Sequence, residues 1–432
     1  MNLKLLAASV AACCASIAPA FAQTSVSMYG VVDAGIQVSD FGNKTQYNLA
    51  SGIADGSRLG FKGTEDLGGG YKAIFTLESR FEVDTGGLSN RYISDAPNEN
   101  ILRGVFANPA FGPAGPLLAQ QLSPLLLSQL SNPARVININ SGIFDRQAYV
   151  GMITPVGGFL LGRQYTPGYE VFAGSDPFEV GTAGSWGNIT AGNGGFLGSV
   201  GVAIRYNSAL QYRIQLPNGI GASLMYAFDE AGATGFSKRA WGGNLRYQGN
   251  GINVGIGYNR DQDQNGEKSL TTTTIGGSYT LGSAKVFAGY HRMKNDNSTL
   301  VPILQTTLAA GLATAPNGAL IANVIAGSIG ENLRLDGDVI TLGGQYRFGA
   351  NRVIAGVSRT NDKRPGDNDA LLYALGYNYD LSKRTDFYSV ISHVKNSGTA
   401  QFALGGAGYT GGATYGARQD ANAFQIGVRH RF

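Results

Sequence analysis

The chain has 432 residues, of which 64 are glycine and 41 are Tyr or Phe, while only 14% carry charge, a balance foreign to soluble domains of this length. Its formal net charge of +4 is too weak to argue for nucleic acid as a partner. Both cysteines, Cys13 and Cys14, lie in the first 22 residues, so removal of that segment leaves no disulfide, thiol nucleophile or cysteine metal site.

Residues 1–22 carry Lys4, an apolar and small-residue run from Leu5 to Ala18, and Ala20-Phe21-Ala22, the pattern of a cleaved secretory signal. Val10-Ala11-Ala12-Cys13 also fits a lipoprotein processing site, but the apolar stretch before Cys13 is unusually short for one. Without Lys4, 32 basic residues face 29 acidic ones, a net +3. Nothing later offers about 20 uninterrupted apolar residues, so no spanning helix is expected. Residues 23–432 are read as one domain.

From Ser25 onward, segments of 9 to 15 residues alternate apolar with polar or small residues, which turns one face to lipid and the other to water. They are 25–37, 56–64, 71–83, 143–153, 158–166, 201–215, 219–229, 239–248, 251–261, 271–281, 284–294, 336–347, 351–361, 369–380, 385–395 and 420–432, sixteen in all. In the segment 336–347, Ile340, Leu342 and Tyr346 share a face, continued by Phe348, against Thr341, Gln345 and Arg347. In 369–380, Leu371, Tyr373, Leu375, Tyr377 and Tyr379 oppose Asn378 and Asp380. One such segment also suits a half-buried strand of a soluble sandwich; sixteen in succession do not.

Seven tight connections, among them Gly249-Asn250 and Gly282-Ser283, alternate with eight longer ones. Short turns at one rim and long loops at the other, with an even strand number, predict an all-β fold: a 16-stranded antiparallel transmembrane up-and-down β-barrel. Closure removes the unpaired strand edges that lipid does not tolerate. Tyr29, Tyr71, Phe81, Tyr226, Phe228, Tyr279, Tyr290, Tyr346, Phe348 and Phe424 lie near segment ends, where aromatic girdles are expected.

Several motifs resemble the Gram-negative general porin family in its betaproteobacterial form. They include Met28-Tyr29-Gly30-Val31-Val32-Asp33-Ala34-Gly35, Ser57-Arg58-Leu59-Gly60-Phe61-Lys62-Gly63, Asp145-Arg146-Gln147-Ala148-Tyr149-Val150-Gly151, Leu161-Gly162-Arg163-Gln164-Tyr165, Arg205-Tyr206-Asn207-Ser208 and Gly427-Val428-Arg429-His430-Arg431-Phe432. The resemblance implies an outer-membrane channel for small ions and polar solutes, in contact with lipid and lipopolysaccharide, assembled as a homotrimer and without a cofactor or metal. It further implies that the third long loop, 166–200, folds inward and sets the narrowest point. Asp176 and Glu179 stand where the family's acidic loop tip lies, with Arg58 and Arg146 as the facing basic side. Phe432 resembles the terminal signal read by the barrel-assembly machinery.

The alternation agrees in direction. With Leu59 and Phe61 toward lipid, Arg58 and Lys62 face the lumen, since a basic side chain on the lipid face near the midplane costs about 2–4 kcal/mol. By the same parity Phe75 and Leu77 face out, leaving Glu78 and Arg80 inside. Arg163 and Arg205 are further candidates for the basic side and Glu78 for the acidic side. Charges opposed across a narrow wet passage create a transverse field that favours dipolar solutes. The arginines outnumber the acidic loop residues, so a mild anion preference is expected.

The sequence departs from the family twice. The second long loop, 84–142, is unusually long, and its stretch from Pro116 to Leu130 is apolar for an external loop; it calls for cover, as a latch on a neighbouring subunit, a cap over the pore mouth, or a locally packed insertion. Val31 stands where some relatives carry a lysine, which bears on ion selectivity. An outer-membrane enzyme would need an activated nucleophile and a base. The only histidines, His291, His393 and His430, all fall inside predicted strands, away from any nucleophile motif. A solute-specific channel and a purely structural or adhesive barrel are the remaining alternatives.

Overall fold

A computed structural model describes residues 25–88, 94–96, 99–130, 142–190, 201–228, 238–298, 300–364, 366–409 and 411–432. The proposed signal segment lies outside them, as do parts of the second and third long loops.

Seventeen strand segments are present among the described residues: β1 (Ser25–Asp40), β2 (Thr45–Ser51), β3 (Arg58–Gly68), β4 (Tyr71–Arg80), β5 (Gln147–Thr154), β6 (Gly157–Tyr165), β7 (Arg205–Gln215), β8 (Ile220–Ala227), β9 (Ala240–Gly249), β10 (Ile252–Gln262), β11 (Lys268–Leu281), β12 (Ala284–Asn295), β13 (Leu335–Phe348), β14 (Asn351–Asp362), β15 (Ala370–Asp380), β16 (Thr385–Asn396) and β17 (Ala421–Arg431). Consecutive strands pair antiparallel except β2 with β3, and β1 pairs with β17 to close the ring. The short segment β2 is an addition to the sixteen expected. It pairs with the outer part of β1, from Ala34 to Asp40, and β3 pairs with the inner part, from Ser25 to Val31. Together β2 and β3 form one interrupted stave, so the barrel has sixteen. The interruption holds Asp33: its carboxylate accepts from the backbone N–H groups of Ile53, Ala54 and Asp55 and from the Tyr388 hydroxyl.

The outward face is apolar. Leu224 and Leu281 are each 67% exposed, and Ile340, Leu342, Tyr373 and Leu375 are also bare, a distribution that only a hydrocarbon surround makes favourable. Opposite them, Thr341, Gln211, Ser223 and Gln425 are buried. Aromatic pairs occur on the outer face, as at Tyr226–Phe228 and Tyr346–Phe348. Tyr29 departs from the expected girdle: its hydroxyl donates to Glu78 at 3.0 Å, which sets it on the inner face, since even-numbered Glu78 alternates with outward Leu77.

Helices occur in the long loops: α1 (Gly115–Leu130), α2 (Pro167–Gly174), α3 (Leu300–Gly311) and α4 (Gly318–Asn332). None among the described residues is long and apolar enough to cross a membrane. The apolar stretch of the second loop forms α1, and its cover comes from the same chain. Leu118, Leu122 and Leu126 recur at helical spacing and join Val105 and Phe111 against Leu304, Ile325 and Ile329 from α3 and α4. Ile325 and Ile329 are fully buried, each worth about 1.5–3 kcal/mol relative to exposure.

Candidate functional site

Antiparallel register brings the predicted arginines to one level. Arg58 on β3 lies opposite Arg80 on β4, Glu78 opposite Gln147 beside Arg146, and Tyr165 on β6 opposite Arg205 on β7. The Arg146 guanidinium donates through Nε to Glu78 at 2.7 Å and through Nη2 to the Tyr165 hydroxyl at 3.0 Å. Arg58 Nε is 3.5 Å from Glu78, and its Nη1 donates to Asp55 at 2.6 Å. Arg205 donates to the same Tyr165 hydroxyl at 2.6 Å, with its guanidinium 4.3 Å from that ring's centroid, close enough for a cation–π contribution. Arg80 Nε lies 3.7 Å from Asp145, and its Nη1 has no hydrogen-bond partner among the described residues.

Arg58, Arg80, Arg146 and Arg205 thus crowd one cavity of about 330 Å³. Asp55, Glu78 and Asp145 stand among them, so positive charge exceeds negative by one in this group. Burial disfavours ionisation of Asp55, but the surrounding guanidinium groups, Arg58 foremost with Arg429 and Arg146, together hold its carboxyl below the usual range. Of the other predicted basic residues, Arg163 turns to the Asp145 carbonyl and Asn207. Lys62 is exposed, over the Tyr29 ring. Neither lines the cavity.

The third long loop supplies another wall. Thr166 caps α2 by accepting from the Tyr169 N–H, with Pro167 in the first turn, where a missing donor costs nothing. Inner-face side chains then hold the loop: Asn259 accepts from the Gly168 N–H, Asn244 donates to the Pro167 carbonyl, and Gln345 donates to the Pro177 carbonyl at 2.6 Å. Glu170 pairs with Arg213 and Arg246. At the tip, Glu179, Val180 and Thr182 all have left-handed φ of about 60°, which is costly away from glycine. Asp176 holds this turn: it is fully buried and accepts from the Phe178 and Val180 N–H groups and the Ser185 hydroxyl. Burial pushes its carboxyl up to about 6, against the pull of those three donors. Gly181 passes so close to the Ala54 carbonyl that a Cβ would sit 1.9 Å from it.

Glu179 lines the cavity, and it pairs with Arg352 at 2.7 Å. Burial opposes its charge, and Arg352 lowers its carboxyl below the ordinary range. Asp176 faces into the loop instead. Sequence reasoning missed Asp55, Asp145, Tyr165, Arg352 and the β16–β17 loop, which contributes Ala407 and Tyr409 to the lining. Asp145 and Tyr165 stood inside recognised motifs, so their adjacency to Arg146 and Arg163 was a usable signal. The pairing of Glu179 with Arg352, 173 positions away, had none.

His291 bonds Thr274 and the Gly201 carbonyl, His393 bonds Asn422, and His430 bonds Thr385. Among the described residues, no group of three or more His, Cys, Asp or Glu side chains is placed to hold a metal.

A family model described as Gram-negative porin matches residues 7–399. The chain is 26% identical to an outer membrane porin protein of Bordetella pertussis and 26% identical to outer membrane porin protein 32 of Delftia acidovorans, in each case across the full length of both. Among solved structures, it superposes on an anion-selective porin from Comamonas acidovorans with a TM-score of 0.65 at 24% identity, covering 95% of this chain and all of that one. The trimer form of OmpT of Vibrio cholerae gives 0.56 at 15% identity over 95% of this chain and 99% of that one; at such identities the likeness speaks for the fold. With the closed barrel and the family match together, the chain belongs to the Gram-negative porin family, and it is an outer-membrane diffusion channel for small hydrophilic solutes, not an enzyme.

Proposed function

We propose that the narrowest part of the passage is the cavity between the arginine wall and the third long loop, and that it gives the channel a mild anion preference. The observation that carries this reading is the gathering of Arg58, Arg80, Arg146 and Arg205 around one cavity. Fixed positive charge in a water-filled, low-dielectric-walled constriction concentrates anions and repels cations. Glu179 supplies the opposing charge, and Asp176 acts through the shape of the loop tip. Arg163 and Lys62 line the route away from the narrowest point. The anion selectivity stated for the Comamonas acidovorans porin is in keeping with this assignment.

The remaining assignments belong to the same reading. Residues 1–22 are removed on export, Phe432 is read by the barrel-assembly machinery, and the mature chain assembles as a homotrimer among lipid and lipopolysaccharide. Planar-bilayer recording under a KCl gradient tests the core of it. Ohmic steps in groups of three with an anion-signed reversal potential are expected. A cation-signed potential would reverse the assignment of the arginine cavity, and silence from folded trimer would mean a plugged barrel.

A further inference from the structure

The β4–β5 loop and the β12–β13 loop leave the barrel on opposite sides. With β2 and β3 counted as one stave, their exits are eight staves apart in a ring of sixteen. The two loops nevertheless meet. Asn332, at the end of α4, donates to the carbonyls of Ile101 and Arg103 at 2.8 and 3.0 Å, and α1 shares the apolar cluster with α3 and α4.

The loops between them are joined without a break. Arg364 of the β14–β15 loop donates to the Arg334 carbonyl, and Asn368 accepts from the Thr399 N–H at 2.6 Å. Asn100 donates to the Thr399 carbonyl at 2.7 Å, Tyr415 bonds the Phe41 carbonyl at 3.1 Å, and Lys44 pairs with Asp95 at 2.8 Å. Four long loops and the β1–β2 turn therefore form one arch with feet on opposite sides of the mouth. Sixteen strands about 4.8 Å apart and tilted by about 40° enclose a ring roughly 30 Å across. The 16 residues of α1 and 15 of α4 are about 24 and 22 Å long at 1.5 Å per residue, enough for their contact to bridge that width.

We propose that this arch is a size filter at the external entrance. It roofs the half of the mouth above β13 to β17 and β1 to β4, so that solutes enter past its free side and bulky ones are turned away before the arginine cavity. The arch is closed at its centre by the apolar cluster in which α1 meets α3 and α4. It therefore sorts by size, while the cavity sorts by charge. The inference rests on the diffusion-channel function and is independent of the arginine assignment.

Two variants test it: I325E/I329E, which breaks the shared cluster, and replacement of residues 300–332 by a short Gly-Ser linker. Each is reconstituted in liposomes and assayed by swelling in arabinose, sucrose, raffinose and stachyose, with the heat-dependent electrophoretic shift reporting barrel folding and proteolysis reporting arch opening. Severalfold faster entry of raffinose and stachyose, with arabinose and the KCl reversal potential unchanged, is expected. An unchanged size series in a folded variant with an opened arch would overturn the proposal. Loss of barrel folding in both variants would also overturn it, by assigning the arch to assembly. Failure of the arginine assignment would appear separately, as an unmoved reversal potential in R58A/R146A with the size cut-off still dependent on the arch.

Discussion

Glu78 accepts from Arg146 at 2.7 Å while lying 3.5 Å from Arg58, so one carboxylate on the basic wall fixes two of its guanidinium groups and cancels part of their charge. The wall's field is consequently a small difference between opposed charges, and it is sensitive to each of them.

Glu78→Gln is expected to strengthen anion preference, because it removes one of the three carboxylates among four arginines while leaving an amide oxygen to accept from Arg146. The weakened charge-assisted bond is expected to cost about 1–3 kcal/mol. Reversal potentials under a KCl gradient and urea unfolding in detergent measure the two effects. A shift toward cations would contradict the placement of Glu78 on the wall.

Arg80→Ala tests a different point, since Arg80 lines the cavity and neither its Nε nor its Nη1 makes a hydrogen bond among the described residues. Anion preference is expected to fall in Arg80→Ala and to be largely kept in Arg80→Lys, which retains the charge but not the guanidinium fork. Equal loss in both variants would point to Arg80 as a packing element, because charge alone would then rescue nothing.

At the closing seam, Gly30 and Phe432 exchange two backbone hydrogen bonds of 3.1 Å, and the Phe432 ring lies over Gly30, where a Cβ would meet it at 2.4 Å. Gly30→Val is expected to displace the ring and slow assembly, without altering the conductance of barrels that do form. Refolding half-times followed by the heat-dependent gel shift, beside Phe432→Ala, measure this. Refolding at the normal rate in both variants would remove the seam from the assembly step.

The strands were legible because lipid on one side and water on the other impose a two-residue period; Ile340, Leu342 and Tyr346 show it as cleanly in structure as in sequence. β2 was not legible, as its six-residue gap before β3 breaks the alternation at the carboxylate of Asp33. The helices of the β12–β13 loop were also missed, since their apolar residues find their partner in α1, some 200 positions earlier. In the site, parity placed Arg58, Glu78 and Arg80 on the inner wall. It carries no information about which inward carboxylate a loop buries, and that is why Asp176 and Glu179, three residues apart, have different surroundings.

That difference gives Asp176 a pH dependence. Its carboxyl titrates near 6 in the folded loop against an ordinary 3.8, so the closed loop binds a proton more tightly than an opened one. The sign follows: the stabilising contribution is fully present below about pH 4 and is lost as pH rises through about 6, amounting to roughly 3 kcal/mol. Hydrogen exchange of residues 176–185, corrected for intrinsic rates, is therefore expected to show stronger protection at pH 4 than at pH 7. Asp176→Asn should flatten the profile by removing the titrating group, although its amide oxygen still accepts from the loop's donors. A slope that survives in Asp176→Asn would assign the dependence to another group, and protection that rises with pH in the unaltered protein would mean that the three donors to Asp176 outweigh its burial.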